Sequence, residues 1–244
     1  MDEKRLNELA KRAYHTRECT FTKFIEPSEE NDCRRAANEN DVYASFYGGF
    51  ESAERNICRF SAYENDDSPC PISCVEITWN TKFASCEHRD LLGAVMGLGI
   101  ERDTTGDIVV CENGRAYLFC TDDMAAYIIA NLTGAGRATL KCRVYDGEID
   151  IPEPEGTIKR ITLASERLDA VIAEAYNLSR GAAQKLVTSG LVKLDHLLEM
   201  RPDVKLKEGS LISVRGHGRT KVLSCGGTTK RGRLAYTVFI YGKK

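Results

Sequence analysis

The sequence predicts an α+β protein in three sections, residues 1–73, 74–150 and 157–244, and three observations carry that reading. Helix-like and strand-like patterns mix in the first section and run strand–helix–strand–strand–helix–strand in the second; two amphipathic helices precede short strands in the third. Breaker clusters separate the sections: ENDDSPCP at 64–71 and DGEIDIPEPEG at 146–156. Charge is divided along the same lines. Residues 157–244 hold 17 Lys+Arg against 7 Asp+Glu, whereas residues 1–156 hold 17 against 29. A basic module carried by an acidic body points to a polyanionic partner, and nucleic acid is the commonest, because neutralised phosphates release condensed counterions.

With 244 residues, 42% hydrophobic and 29% charged, the chain is long enough for one large domain or two to three small ones. No apolar run approaches the roughly 20 residues that span a bilayer. The start, MDEKRLNELAKRAY, is a polar helical pattern without the apolar core of a signal peptide, so secretion is not expected. Ten cysteines are scattered at 19, 33, 58, 70, 74, 86, 111, 120, 142 and 225 with no CxxC pair. That spacing suits reduced, structural thiols better than a disulfide framework or a zinc site.

In the first section a strand-like run, Val42 to Tyr47, leads into Gly48-Gly49 and a helix candidate from Phe50 to Phe60. In the second, strands are expected at Val75–Trp79, Ile108–Cys111, Ala116–Cys120 and Ala138–Tyr145, with helices at His88–Leu98 and Asp122–Leu132. Glu112-Asn113-Gly114 is a hairpin signal. The order is that of the split βαβ, ferredoxin-like arrangement, which RNA-recognition modules share. Tyr117 and Phe119 occupy the base-stacking strand of such modules, but the basic and glycine residues that accompany stacking are missing, so both read as packing residues.

In the third section Leu168, Val171, Ile172 and Ala175 form an apolar stripe, with Ser165 as the expected N-cap and Asn177 as the left-handed stop. Ser179 caps a second helix that ends at Gly190. Ala182, Ala183, Leu186 and Val187 fill one arc of that helix; Arg180, Gln184, Lys185 and Thr188 fill the other. Arg180 in the first turn could meet a phosphate with both a guanidinium fork and the helix dipole. Strands are expected at Leu191–Leu194 and Leu211–Val214, then a hairpin with Lys230, Arg231 and Arg233 at its turn. The RNA-contact set read from this section is Arg167, Ser179, Arg180, Gln184, Lys185, Lys193, Arg215, Arg219, Lys230, Arg231 and Arg233.

Residues 157–218 resemble the small RNA-binding domain first recognised in ribosomal protein S-four. The matching pattern is Arg167-Leu168-Asp169, Leu178-Ser179-Arg180, Ala183, Leu186-Val187, Gly190 with Val192, and Lys207-Glu208-Gly209 before Ile212. Asp195-His196 replaces the usual Asn-Gly turn, and Ser210 replaces the usual Asp. Upstream, FYGGFESAER from Phe46 to Arg55 and HRDLLGAVMGLGIERDTTGDIVV from His88 to Val110 resemble hallmarks of the bacterial YlmH family, and that resemblance spans nearly the whole chain. It implies a cytoplasmic, monomeric, non-catalytic protein without cofactor or metal. Its expected partners are ribosomal RNA and tRNA on large subunits that carry stalled peptidyl-tRNA, in ribosome-associated quality control; no membrane or DNA partner is expected.

Enzyme readings compete with that one. His88-Arg89-Asp90 lacks the glycine loop and DFG of a kinase, and Gly97-Leu98-Gly99 lacks the third glycine of a dinucleotide fingerprint. Ser45, Ser73 and the four histidines show no triad spacing, and Asp146, Glu148 and Asp150 read as a solvated linker. Pseudouridine synthases carry the same RNA module, but ahead of a catalytic domain, and here none follows. A cell-division or regulatory scaffold acting through the acidic body is the third class.

Overall fold

The computed structural model describes residues 2–147, 149, 156–228 and 232–242, and the chain divides into two units, 1–152 and 153–244. The first unit opens with α1 (Glu3–Thr16), where the Asp2 side chain accepts the Lys4 N–H and Arg17 closes the last turn at φ 61°. Its Leu6, Leu9, Ala10 and Ala13 recur at helical spacing and are all buried. With α2 (Glu30–Glu39) it covers one face of a sheet built from β1 (Thr20–Ile25), β2 (Tyr43–Tyr47) and β3 (Asn56–Ser61), in the order β1-β3-β2.

The helix expected at Phe50–Phe60 does not form: a turn is followed by β3. As the middle strand, β3 buries residues on both faces, Ile57 on one side and Cys58 and Phe60 on the other. Without a polar face it lacks the alternation that marks a strand in sequence. Its register is pinned by Arg55, whose guanidinium is buried. Nε donates to the Thr105 carbonyl at 3.1 Å, Nη2 to those of Phe24 (3.4 Å) and Arg102 (3.3 Å), and Nη1 pairs with Glu26. The Asp107 carboxylate accepts the Glu54 N–H at 2.6 Å and the Arg55 N–H at 3.3 Å.

The second sheet comprises β4 (Ile72–Thr78), β5 (Thr105–Cys111), β6 (Arg115–Thr121) and β9 (Lys141–Val144), in the order β5-β6-β4-β9 with every neighbour antiparallel. Two helices connect them, α3 (His88–Gly97) and α4 (Asp122–Asn131), packed around Val75, Ile77, Leu118 and Ile128. The strand expected at Ala138–Tyr145 is split. Ala138–Thr139 (β8) pairs with Gly134–Ala135 (β7) in a separate ribbon, because the Leu140 amide bonds back to Thr133. At the β5–β6 turn Asn113 and Gly114 both have positive φ, as their hairpin chemistry demands. Asp90 completes a capping box with Glu87 at the start of α3, which gives His88-Arg89-Asp90 a structural role.

The helix-free face of this sheet meets β1 and β3. Tyr117 and Phe119 are buried there against Phe24 and Ile57. Gly49 and Gly106 make room for these rings: a Cβ on Gly49 would lie 2.2 Å from Phe119, and one on Gly106 2.6 Å from Phe24.

The second unit is a six-stranded antiparallel sheet: β10 (Gly156–Leu163), β11 (Val192–Leu194), β12 (Leu197–Leu198), β13 (Leu211–Val214), β14 (Gly218–Thr228) and β15 (Leu234–Tyr241), in the order β10-β15-β14-β13-β11-β12. Its inner face is covered by α5 (Leu168–Tyr176) and α6 (Arg180–Thr188) through Val171, Ile172, Ala183 and Val187. The architecture of the whole chain is α+β. All ten cysteines are free, and among the described residues no helix is long and apolar enough to cross a membrane.

Asp195 (φ 48°) and His196 (φ 69°) form the two-residue loop between β11 and β12, so they supply the geometry of the Asn-Gly they replace. Asp195 also accepts the Leu211 N–H at 2.7 Å. A histidine in the left-handed region is strained, and His196→Gly is expected to stabilise the unit by about 1 kcal/mol, measurable by urea denaturation. Ser210, in place of the usual Asp, has its Oγ accepting the Lys207 N–H at 3.3 Å.

Candidate nucleic-acid interface

The helix pair is organised around a carboxylate. Asp169 stands in the first turn of α5 and is completely buried. Arg167 donates to it bidentately, Nε to Oδ1 and Nη2 to Oδ2, each at 3.0 Å. Gln184 of α6 donates Nε2 to Oδ2 at 3.1 Å, and Arg180 Nε lies 3.5 Å from the same oxygen. Burial opposes ionisation of Asp169, but the hydrogen bonds from Arg167 and Gln184 and the charges of Arg167 and Arg180 outweigh it, so its pKa falls below the ordinary carboxylate value. One buried anion therefore orients three of the residues read as RNA contacts. The Arg180 side chain remains 55% exposed and makes no other ion pair among the described residues.

The capping residues differ from expectation at one end. Arg167, not Ser165, is the N-cap of α5. The first-turn amides of Leu168 and Asp169 donate to the carbonyls of Val204 (2.9 Å) and Pro202 (3.1 Å), so the helix start is satisfied by neighbouring backbone. Ser165 Oγ is buried without a hydrogen-bond partner among the described residues. Elsewhere the expected chemistry is in place: Asn177 ends α5 at φ 55°, Ser179 Oγ accepts the Ala182 N–H at 3.2 Å, and Gly190 has φ 69°.

The remaining expected contacts separate. Lys185 lies on the exposed arc of α6. Lys193 on β11 and Arg219 on β14 share a register row through Ser213, on the sheet face away from the helices. Arg215 follows β13, with its amide on the Leu191 carbonyl at 2.9 Å, and Arg233 precedes β15; both are exposed. Lys230 and Arg231 lie outside the described residues, as do Glu148 and Asp150 of the acidic run.

Sequence reasoning missed Asp169 as the organiser. The available signal was an acid three residues before Ile172, within the apolar stripe of α5. The first unit repeats the device. Glu76, only 6% exposed, pairs with Arg143 at 2.5 Å and Arg115 at 3.6 Å, and both arginines are largely exposed. Tyr145 packs beside them on Tyr117, with ring centroids 5.0 Å apart. Among the described residues no group of three or more His, Cys, Asp or Glu is placed to hold a metal.

Exposed guanidinium groups held in place by a buried carboxylate, on a helix pair that covers a basic sheet, have the chemistry of a polyanion-binding module. Known proteins similar to this chain were found in three comparisons. Residues 66–148 match a family model described as "Putative RNA-binding domain in YlmH". Over 220 residues the chain is 34% identical to "Ribosome-associated protein quality control protein P2" of Bacillus subtilis (strain 168), covering 89% of this chain and 85% of that protein. A solved structure, "Cell division protein ylmH from Streptococcus pneumoniae", is 26% identical with a TM-score of 0.48, covering 58% of this chain and 87% of that one. The chain belongs to the YlmH family.

Proposed function

We propose that this protein is a non-catalytic, monomeric, cytoplasmic RNA-binding protein that acts on the ribosome, in quality control of large subunits carrying stalled peptidyl-tRNA. In this reading residues 74–150 form a ferredoxin-like domain and residues 157–244 an S-four-type module that contacts ribosomal RNA and tRNA. The observation that carries it is the buried Asp169, which presents Arg167, Arg180 and Gln184 together on the helix pair. The B. subtilis relative's name supports the ribosomal setting. The same carboxylate argues against pseudouridine chemistry, since a fully buried, ion-paired Asp169 is closed to a substrate base. In the first unit, burial of Tyr117 and Phe119 removes the rings an RNA-recognition sheet stacks bases on. Arg115 and Arg143 are the groups left there to meet phosphate.

Arg180→Ala is expected to weaken binding to large subunits or tRNA about tenfold or more, because a charge-assisted contact is worth ~1.5–3 kcal/mol. Its exposure means that folding stability should change little. Filter binding across a salt series checks both parts; unchanged affinity, or a salt-independent one, removes Arg180 from the interface. The enzymatic alternative predicts loss of one specific pseudouridine from the RNA of a deletion strain, read by mass spectrometry.

A further inference from the structure

The six strands of the C-terminal sheet contain no Asp or Glu, but they carry Lys159, Arg160, Lys193, Arg219 and Lys221. Strand parity sorts these cations, because residues paired directly across a sheet share a face. Lys159 falls on the helix side, where its Nζ donates to the Glu174 carbonyl at 2.6 Å and to Asn177 Oδ1 at 2.7 Å, closing the C-terminus of α5. The other four fall on the outer face. One register row reads Ile158, Phe239, Lys221 and Leu211; a second reads Leu198, Lys193, Ser213 and Arg219; Arg160 stands opposite Thr237. The opposite parity supplies the buried Ile161, Val192, Ile212, Val214, Val222 and Val238.

Aromatic rings lie among these cations. Tyr241, two residues beyond Phe239, is on the same face, and the two rings meet edge to face with centroids 4.9 Å apart. Phe239 is held over the backbone of Gly156, where a Cβ would come within 2.4 Å of its ring. Four exposed cations, on strands that carry no Asp or Glu and that span about 19 Å from β10 to β11, suit a chain of phosphates. Rings fixed on a sheet surface suit bases that are not already stacked in a duplex.

We infer that the outer face of this sheet binds a single-stranded RNA segment, with phosphates on Arg160, Lys193, Arg219 and Lys221 and bases against Phe239 and Tyr241. This surface lies on the opposite side of the sheet from the helix pair. The inference rests on the RNA-binding reading above and is separable from it by experiment.

The test uses the full chain and two fluorescent probes, a single-stranded uridine oligonucleotide and a blunt-ended RNA hairpin, with thermal melting to verify folding of each variant. The Arg160→Ala/Lys221→Ala double variant is expected to weaken oligonucleotide binding at least about tenfold and to leave the hairpin unaffected. Arg180→Ala is expected to do the reverse. Phe239→Leu should weaken the oligonucleotide alone and abolish its ultraviolet crosslink to β15. Oligonucleotide affinity unchanged in the folded double variant, or lost equally for both probes, overturns the outer-face surface while the helix-pair reading stands. Failure of Arg180→Ala to affect the hairpin overturns that earlier reading instead.

Discussion

Asp169→Ala should destabilise the C-terminal unit by about 3 kcal/mol and weaken RNA binding more than Arg180→Ala does, because it releases Arg167, Arg180 and Gln184 at once. Breaking a buried pair from this side also leaves the half-buried Arg167 guanidinium without its bidentate acceptor. The pH dependence has a definite sign. The Asp169 carboxyl titrates below its ordinary value in the folded chain, so its contribution is fully present above about pH 4 and is lost as pH falls through the native value. Urea denaturation of wild type and Asp169→Asn across that range should converge on acidification. A constant difference at every pH would mean that the charge is not what stabilises the cluster.

The second large effect is expected in the first unit. Arg55→Ala should destabilise it by about 3–4 kcal/mol, since it removes the donor shared by the Phe24, Arg102 and Thr105 carbonyls and leaves them buried without that partner. Arg55→Lys should recover little, because an ammonium cannot reproduce a fork that reaches three carbonyls and Glu26 together. A guanidinium titration that follows both units checks this: only the transition of residues 1–152 should move. Wild-type stability in Arg55→Ala would mean that β1, β3 and β5 are held by their apolar contacts alone.

Local chemistry was legible wherever a residue's task depends on its neighbours in sequence. Asn113-Gly114, Ser179 and Asn177 take the conformations their side chains favour. The apolar stripes of α5 and α6 are the faces that pack on the sheet. Where a residue answers to a distant segment the reading failed. β3 has apolar residues on both faces because a helix layer covers one and a second sheet the other, and two-sided burial erases alternation. Ser165 lost the cap of α5 to backbone carbonyls some 37 residues away along the chain, at Pro202 and Val204.

The sequence by itself determined the α+β class, the basic character of the C-terminal section and the helix pair with its exposed Arg180 and Lys185. These follow from composition and period, which are properties of short stretches. Only the tertiary structure decided that Asp169 gathers Arg167, Arg180 and Gln184, that Tyr117 and Phe119 are sealed under a second sheet, and that Lys193 and Arg219 share a face away from the helices. Each of these depends on strand register and on which face another layer covers. Long-range pairing sets both, and no local pattern encodes them.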